Sequence, residues 1–548
     1  MSVGSEEAAG LVARLRQAAI GSGSVIPGPF GPRPLIYADH TASGRALDFV
    51  EAALPRHILP VYANTHSENS FTGAQTTRFR EEARETIRRA VRADDRHAVI
   101  FTGSGSTAAI HKLATAIGLR GPAAGAPRDA VVFVGPYEHH SNELVWRESA
   151  ATPVRIPLDG DGRLCLPALE EALKQYAGAS LKIGTFSAAS NVTGVITDMR
   201  ALARLLHAHG AWFFADYAAG GPYLEIDMAE SAPNAGDQCD AIFVSPHKFI
   251  GGPGASGVLV ADRRLFGNAV PTIPGGGTVS YVSATRQRYI DDIEHREEAG
   301  TPGILGDIRA GLAFALKADI GARCIGEIED GMVARVRSAW ARTPAIEVLG
   351  PADGKRLAIF SFNIRAGRGY LHPSFVVALL NDLFGIQARG GCSCAGPYGH
   401  DLLGIGNEES ERFDRLVESG LGVFKPGWTR LNFHFSFDNE TVDYIIAAVD
   451  FIARRGVQLL PLYECELATG RWRRAGSPET VEGFATLCSW RGEAEQPQLA
   501  PRVRLADYLS AAEAIADAAL GATGHTAEPD SRLACPERWF VVAADQAA

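Results

Sequence analysis

The stretch AIFVSPHKFIGGPGASGVLVA, residues 241 to 261, holds two short apolar runs separated by a polar, glycine-rich segment. Both runs have the length and the composition of buried β-strands. Lys248 stands just after the first run, where burial favours the uncharged amine that Schiff-base chemistry needs. A lysine whose ammonium group reaches water is the commoner arrangement, so the interpretation depends on the rest of the chain.

The residues before this stretch alternate between apolar runs and helical patterns. The runs are AVIF (98–101), AVVFV (130–134), LKIGTF (181–186) and AWFFA (211–215). One helical pattern is well delimited, with Asp198 as its cap, leucines on one face and Gly210 at its end. The alternation predicts an α/β domain built on a mainly parallel sheet, in which ligands bind at the carboxyl ends of the strands.

Polar, ionisable or small residues follow these four runs and also the run AIFV (241–244) of the opening stretch. The five tails are TGSGST, GPYEHHSN, SAASN, DY and SPHK. One such tail would mean little, but five in succession predict a binding site at one edge of the sheet.

The later part of the chain has a different character. Residues 305 to 455 combine helical patterns with strand-like runs at 357–364 and 429–437, and they include the two-cysteine loop ARGGCSCAGPYGH (388–400). Beyond 456 the sequence is polar and rich in breakers, apart from a predicted helix in LADYLSAAEAIADAAL. We therefore predict an N-terminal segment (1–30), a large domain (31–304), a small α/β domain (305–455) and a C-terminal extension (456–548).

The composition excludes several classes of protein. A net charge of -10 argues against a nucleic-acid-binding protein. No apolar run is long enough to predict a membrane span, and the start lacks the apolar segment of a secretory signal. Eight cysteines scattered over 548 residues do not form a disulfide framework. The expected location is the reducing cytoplasm.

The tails contain side chains suited to one cofactor. Ser245 and His247 flank Lys248 and can donate hydrogen bonds to a phosphate. Asp216 can hold a proton on a heterocyclic nitrogen, the pairing that makes pyridoxal 5′-phosphate (PLP) an electron sink, although aspartate is also common in turns. Ala218 is small enough to lie flat beneath a ring.

Three further tails carry weaker signals. TGSGST opens a helical pattern, where free N–H groups bind phosphate, but a plain hydroxyl cap fits equally well. His139 and His140 suit ring stacking or proton transfer, and no carboxylate–histidine spacing supports a metal site. Asn191 can hydrogen-bond a cofactor oxygen or a substrate carboxylate.

Together these residues resemble the class V aminotransferase family of fold-type I PLP enzymes, and within it the group II cysteine desulfurases of the SUF and selenocysteine-lyase types. The resemblance runs from LIYADHTASG (35–44) to FDNETVDYIIAAVDFI (437–452). It rests on the order of the motifs: a hydroxyl loop, EHH, SNVTG, an aspartate, SxHK, EAGTP, RxGxxC and a late arginine. It implies a large domain with a mainly parallel seven-stranded sheet and a smaller C-terminal α/β domain.

The resemblance also implies a role for each site residue. Lys248 would bind PLP covalently, Asp216 would pair with the pyridine nitrogen, and His139 would stack on the ring above Ala218. The phosphate would be held by Ser106, Thr107, Ser245 and His247, and by Thr278 of a neighbouring subunit, which implies a homodimer. Asn191 would lie near the ring hydroxyl and the substrate, and Arg430 and Arg389 would bind the substrate, with Arg430 on its carboxylate.

The two cysteines of the loop are predicted to have different roles. In the RxGxxC pattern the cysteine lies five residues after the arginine, so Arg389 points to Cys394 as the thiol that takes the substrate sulfur. Cys392 is either a resolving thiol or a small packed residue. With His400 the two cysteines have no usual zinc spacing, so no metal is expected. Ala219 replaces a glutamine that the family often has, and the stretch 398–425 is longer than usual.

The leading functional hypothesis is a cysteine desulfurase, which removes sulfur from L-cysteine as a persulfide on Cys394 and releases L-alanine. A sulfur-acceptor protein would be its partner. The alternative keeps PLP without the persulfide: an aminotransferase, epimerase or C–S lyase acting on another amino acid. A third hypothesis is a non-catalytic binding protein on the same fold. The sequence does not distinguish cysteine from selenocysteine, and it assigns no role to residues 456–548.

Overall fold

The computed structural model describes residues 5–65, 67–121, 129–478, 481, 483–487, 504–521 and 530–546. The chain divides into two compact units. The first comprises Met1–Ile20, His40–Asp330 and Gly350–Leu357, and the second comprises Gly21–Asp39, Gly331–Leu349 and Ala358–Ala548. The domain boundaries given above stay predictions.

The strands are β1 Val25–Ile26, β2 Arg33–Pro34, β3 Ile36–Tyr37, β4 His97–Thr102, β5 Ala130–Val134, β6 Thr152–Arg155, β7 Leu181–Ser187, β8 Trp212–Asp216, β9 Ala241–Val244, β10 Gly257–Asp262, β11 Val279–Val282, β12 Gln287–Tyr289, β13 Ile346–Val348, β14 Ile359–Ala366, β15 Gly369–Tyr370, β16 Ile386–Gln387, β17 Arg389–Gly391, β18 Trp428–Asn432, β19 Tyr463–Glu466 and β20 Arg471–Arg474. The helices are α1 Ser5–Ala18, α2 Asp48–Ala53, α3 Phe71–Ala90, α4 Gly105–Ala116, α5 Leu144–Arg147, α6 Leu166–Gln175, α7 Met199–Ala208, α8 Ile293–Arg296, α9 Ile304–Ile320, α10 Ala322–Trp340, α11 Pro373–Phe384, α12 Gly396–Leu403, α13 Asn407–Glu418, α14 Asn439–Arg455 and α15 Leu505–Gly521. Within the described ranges, every helix is too short or too polar to span a bilayer.

The first unit is built on a seven-stranded sheet with the order β4-β10-β9-β8-β7-β5-β6. Strands β6, β5, β7, β8 and β9 run parallel, and β10 is antiparallel to both β9 and β4. The mainly parallel sheet expected from the sequence is therefore confirmed. The sequence analysis missed β6, because its residues TPVR are mostly exposed at the edge and include a proline.

The apolar runs can be recognised in the sequence because the central strands are buried on both faces. Every residue of β4, β5, β9 and β10 is buried, as is typical of a parallel sheet covered by helices. The helix predicted after Asp198 is α7. The Asp198 carboxylate accepts a hydrogen bond from Ala201 N at 3.0 Å, Leu202 and Leu206 face the core, and Gly210 follows with φ 68°.

The second unit contains an antiparallel sheet with the order β13-β14-β18-β17, and β15 pairs with β14. The late part of the chain folds onto this unit: β19 and β20 form a hairpin, and α15 packs on α11 and α14. Trp472 and Phe540 are buried, and Trp539 stacks on His372 with ring centroids 5.7 Å apart. The predicted helix at 505–520 is thereby confirmed as α15.

A buried ion-pair network joins α3 to the edge of the first unit's sheet. Arg84 makes two contacts of 2.9 Å with the carboxylate of Glu298, Arg80 pairs with the same carboxylate, and Arg80 Nε donates to Asp307 at 2.7 Å. Phe101 N of β4 donates to Glu298 at 2.6 Å. Burial opposes ionisation of this carboxyl, but the two guanidinium groups hold the pKa of Glu298 below its ordinary value.

Glu298→Ala is expected to lower the free energy of unfolding by about 3–5 kcal/mol, because it leaves two buried guanidinium groups without their shared carboxylate. Urea unfolding followed by circular dichroism measures this change. The matched control is Glu82→Ala, which removes an exposed partner of Arg78 on α3 and should change the free energy by less than about 0.5 kcal/mol. Equal losses in the two variants would contradict the structural role of Glu298.

Candidate active site

The segment that carries Lys248 is fixed by a loop from earlier in the first unit. Pro246–Lys248 forms a single 3₁₀ turn directly after β9. Gly44 N donates to His247 O at 2.9 Å, and a Cβ on Gly44 would lie 1.9 Å from Phe249 O, so only glycine fits there. The backbone of Lys248 is therefore held rigidly at the carboxyl end of β9.

Asp216, the last residue of β8, carries a buried carboxylate that needs a positive partner. Its side chain is 2% exposed and accepts a hydrogen bond from Ala218 N at 2.8 Å. Burial raises the pKa of Asp216, whereas the Ala218 N–H, the charge of Lys248 and the Ser106 hydroxyl act in the opposite direction. A protonated ring nitrogen would supply a further positive charge, so this position fits the pyridine end of PLP.

A cradle for an anion lies where α4 begins. Ser106 N donates to Ser245 Oγ at 2.9 Å, and the two hydroxyl oxygens are 3.1 Å apart. Gly105 has φ 58°, and a Cβ there would lie 2.6 Å from Ser245 Oγ and 2.8 Å from His247 Cε1. The start of α4 has no side-chain cap. Hydroxyl groups and helix N–H donors are thus brought together as a phosphate requires.

His247 contributes to this cradle as a neutral side chain. Burial, reinforced by the charge of Lys248, lowers the pKa of His247 to about 4. Near neutral pH its imidazole therefore has one N–H donor and no charge.

The structure also links the hydroxyl loop to the histidine loop. Thr107 Oγ1 lies 2.7 Å from Ser141 Oγ, and His139 Nδ1 accepts a hydrogen bond from Ser141 N at 3.1 Å. These contacts fix the imidazole of His139 at the start of a short turn, His140–Asn142. Its stacking on a cofactor ring stays a prediction.

The sequence analysis missed Glu138, which is buried just before His139. Its carboxylate accepts hydrogen bonds from Ser187 N at 2.9 Å, Ser187 Oγ at 2.7 Å and Asn142 Nδ2 at 2.7 Å. Ser187 is the neighbour of Asp216 in the pairing of β7 with β8. Burial raises the pKa of Glu138 to about 7, against the effect of these three donors. The signal available in the sequence was an acid in the same tail as His139, four residues before Asn142.

Two other predicted residues lie in the first unit. Asn191 is 7% exposed, and its turn is held by Ser190 Oγ, which accepts from Val192 N and Thr193 N at 3.1 Å. Thr278 is fully buried, and its hydroxyl donates to Gly275 O at 2.7 Å. The roles given to both residues, including the contact of Thr278 with a neighbouring subunit, stay predictions.

In the second unit, Arg430 and Arg389 share one carboxylate. Arg430 lies on β18 and is 3% exposed, and its Nη2 donates to Asp39 Oδ1 at 2.7 Å. Arg389 Nε donates to Asp39 Oδ2 at 3.1 Å. The sequence analysis missed Asp39, although it is the first charged residue after the apolar run LIYA. The predicted binding of a substrate carboxylate by the two arginines stays a prediction.

The two-cysteine loop forms a tight turn after β17. Ala395 N donates to Cys392 O at 3.1 Å, and the two residues between them, Ser393 and Cys394, have φ of 51° and 57°. Left-handed backbone costs a non-glycine residue on the order of 1 kcal/mol, and such strain is concentrated at functional sites. Cys394 is exposed and Cys392 is partly buried, and neither forms a disulfide. The longer stretch that follows contains α12 and α13.

Across the described part of the chain, histidine, cysteine, aspartate and glutamate side chains do not form groups of three or more that could hold a metal ion.

A lysine, a buried aspartate and an anion cradle at the carboxyl ends of strands in a mainly parallel seven-stranded sheet define a fold-type I PLP enzyme. The family model "Aminotransferase class-V" matches residues 36–444, and the chain belongs to this family. Its cofactor is PLP. The side chains around Asp216, Ser106 and Lys248 fit that cofactor on the geometry given above.

Comparisons with known proteins agree with this assignment. The chain is 31% identical over 368 residues to a probable cysteine desulfurase of Halalkalibacterium halodurans, covering 66% of this chain and 85% of the relative. A probable cysteine desulfurase of Halobacterium salinarum is 27% identical over 424 residues, 77% of this chain and 92% of the relative. The solved cysteine desulfurase of Thermococcus onnurineus superposes with a TM-score of 0.64 at 26% identity, over 77% of this chain and 95% of that one.

The buried carboxyl of Glu138 predicts a pH-dependent stability. Below the ordinary pKa of 4.5 the group is neutral in the folded and unfolded chains; as pH rises toward 7, the unfolded chain releases the proton first and stability is lost. Between pH 4.5 and about pH 8, the wild type should therefore lose up to about 3 kcal/mol more than Glu138→Gln. Urea unfolding at several pH values measures the difference.

The control for this experiment is Glu148→Gln, an exposed residue ten positions later in the same region. It should follow the wild type at every pH. Identical pH profiles for the wild type and Glu138→Gln would show that the Glu138 carboxyl is not held neutral by the fold.

Proposed function

We propose that the chain is a cysteine desulfurase, which removes the sulfur of L-cysteine and releases L-alanine. The observation that carries the proposal is the agreement between two findings: relatives above 30% identity bear this name, and an exposed cysteine lies at the strained turn of the RxGxxC loop. Cys394 is the thiol that takes the sulfur as a persulfide.

The residues of the first unit prepare the cofactor. PLP, when bound, supplies an electron sink for bonds broken next to the substrate's amino group. Asp216 would hold the proton on the pyridine nitrogen, because a buried carboxylate is stabilised by a nearby positive charge. Ser106, Thr107, Ser245 and the neutral His247 orient the phosphate. Lys248 would hold the cofactor covalently, and its amine would move protons to and from the substrate.

The residues of the second unit act on the substrate in this proposal. Arg430 binds the α-carboxylate of cysteine, because a buried guanidinium group recognises carboxylates through two parallel hydrogen bonds. The carboxylate of Asp39 orients Arg430 and Arg389. The Cys394 thiolate forms a bond with the substrate sulfur as the carbon–sulfur bond breaks. The electron pair of the broken bond stays on the substrate carbon, which takes up a proton, and the amino acid leaves as alanine.

A homodimer, a sulfur-acceptor protein and a cytoplasmic location belong to the same proposal. The support for a dimer is a set of exposed apolar side chains near Thr278: Val270, Ile273, Tyr281 and Val282. Burial of these side chains by a second copy would stabilise the assembly.

Cys394→Ser is expected to lower alanine formation from cysteine on the order of a hundredfold while the visible absorption of bound PLP is kept, since a serine hydroxyl does not accept sulfur as a persulfide. Lys248→Ala is the companion variant, and it should lose the band that arises from the covalent lysine linkage. Amino-acid analysis and absorbance spectra provide the measurements.

Two outcomes would redirect the assignment. Unchanged alanine formation in Cys394→Ser would favour the aminotransferase, epimerase or C–S lyase alternative, in which no protein thiol takes part. Absence of PLP absorbance from the wild type would favour a non-catalytic binding protein.

Arg430→Ala is expected to raise KM for cysteine by about 10–100-fold, because the substrate carboxylate loses a charge-assisted partner worth about 1.5–3 kcal/mol. The PLP spectrum should be unchanged. Arg365→Ala, which removes an exposed arginine paired with Glu347 in the same unit, is the control and should leave KM unaltered. An equal KM for the wild type and Arg430→Ala would refute the carboxylate role.

A further inference from the structure

We infer that Cys392 is a resolving thiol: it converts the persulfide on Cys394 into a Cys392–Cys394 disulfide and releases the sulfur as hydrosulfide. This inference rests on the proposed function and goes beyond it, because it makes free sulfide a product that the loop itself can release. The class of reaction that must follow is reduction of the disulfide by a dithiol, which resets both thiols.

The backbone of the turn brings the two cysteines to a spacing that a disulfide can bridge. In an extended chain, Cα atoms two residues apart are separated by roughly 6.6 Å, whereas left-handed helical geometry brings them to about 5.4 Å. Disulfides span about 4.4–6.8 Å between Cα atoms, most often about 5.5–6 Å. Ser393, with φ 51°, is the residue between the pair, and both of these separations lie within the span of a disulfide.

The turn is also anchored at both ends. Ala395, whose N–H closes the turn onto Cys392 O, is fully buried. Gly391, just before the turn, lies against Gly427 so closely that a Cβ on Gly427 would be 2.7 Å from Gly391 Cα. The two thiols therefore share one short, anchored segment, which favours their reaction with each other.

The positions of the glycines support a specific role for the side chains in this turn. Gly390, Gly391 and Gly396 flank the turn, yet the two left-handed positions carry serine and cysteine. A turn of this type is formed most easily by glycine or asparagine. The chain thus keeps a thiol at a strained position where a glycine would relieve the strain.

The two thiols differ in their exposure to solvent, and this difference suits them to different roles. Cys394 is exposed, where it can meet a substrate, while Cys392 is partly buried. A shielded thiol reacts less readily with external electrophiles but still reaches a sulfur two residues away.

The resolving step balances without a further reactant. The Cys392 thiolate attacks Sγ of the Cys394 persulfide; the bond between the two cysteine sulfurs forms, and the bond from Cys394 Sγ to the outer sulfur breaks. The outer sulfur leaves with the electron pair as hydrosulfide. The cysteine pair is oxidised by two electrons, and the outer sulfur is reduced by the same two.

The test is a single turnover of the full-length holoenzyme with equimolar L-cysteine in the absence of oxygen and of other thiols. The wild type should yield alanine and a similar amount of sulfide, and its tryptic peptide 390–412 should be about 2 Da lighter than the reduced form. Cys392→Ser should yield at least about fivefold less sulfide per alanine, with the peptide about 32 Da heavier, the mass of one persulfide sulfur. Cys465→Ser, a partly buried cysteine of the same unit, is the control and should match the wild type.

The outcomes separate this inference from the proposed function. A wild type that forms alanine but keeps the 32 Da adduct, with no more sulfide than Cys392→Ser, overturns the inference and leaves the desulfurase proposal standing. A wild type that forms no alanine overturns the desulfurase proposal.

A second measurement does not depend on turnover. After the reduced wild-type protein is treated with oxidised glutathione, its peptide 390–412 should be about 2 Da lighter. The same treatment of Cys392→Ser should leave a glutathione adduct of about 305 Da on Cys394. A wild-type protein that retains the adduct overturns the inference whatever the enzyme's activity.

Discussion

The buried carboxylate of Asp216 is the constraint on which the site in the first unit depends. A carboxylate with 2% exposure is stable only where cations and donors surround it. The Ala218 N–H, the Ser106 hydroxyl and the charge of Lys248 partly meet this need, and each comes from a different segment of the chain. Ser106 lies at the start of α4 and Lys248 lies in the turn after β9. The buried charge of Asp216 therefore constrains the positions of both segments of the cofactor site.

Buried charge organises the other parts of the molecule in the same way. Glu298 is surrounded by Arg80, Arg84 and the N–H of Phe101, and this cluster joins α3 to β4. In the second unit, Asp39 pairs with both Arg430 and Arg389. Removal of one partner from a buried pair is strongly destabilising, so these pairs constrain the positions of the segments that carry them.

The sequence revealed the parts of the fold that are set by local chemistry. Strands such as β5 and β9 are apolar at every position because both faces of the sheet are covered, and Lys248 and Asp216 stand directly after strands. Glu138 and Asp39 were missed because their partners, Ser187 and Arg430, are distant in sequence and meet them only in the folded chain. The edge strand β6 was missed because exposure removes the apolar pattern. Motif order suggested the family, but tertiary contacts decide which charges are neighbours.

Described residues beyond 456, among them Trp472 and Phe540, are part of the second unit's core. Trp539 Nε1 donates to Phe424 O at 3.0 Å, and the backbone around Phe540 pairs with Tyr370 through bonds of 3.1 and 2.9 Å. Together with α15 against α11 and α14, these contacts cover apolar surface that the matched family region, which ends at 444, would otherwise expose to water. A fragment trimmed to the family boundary would therefore expose this apolar surface and be prone to aggregate.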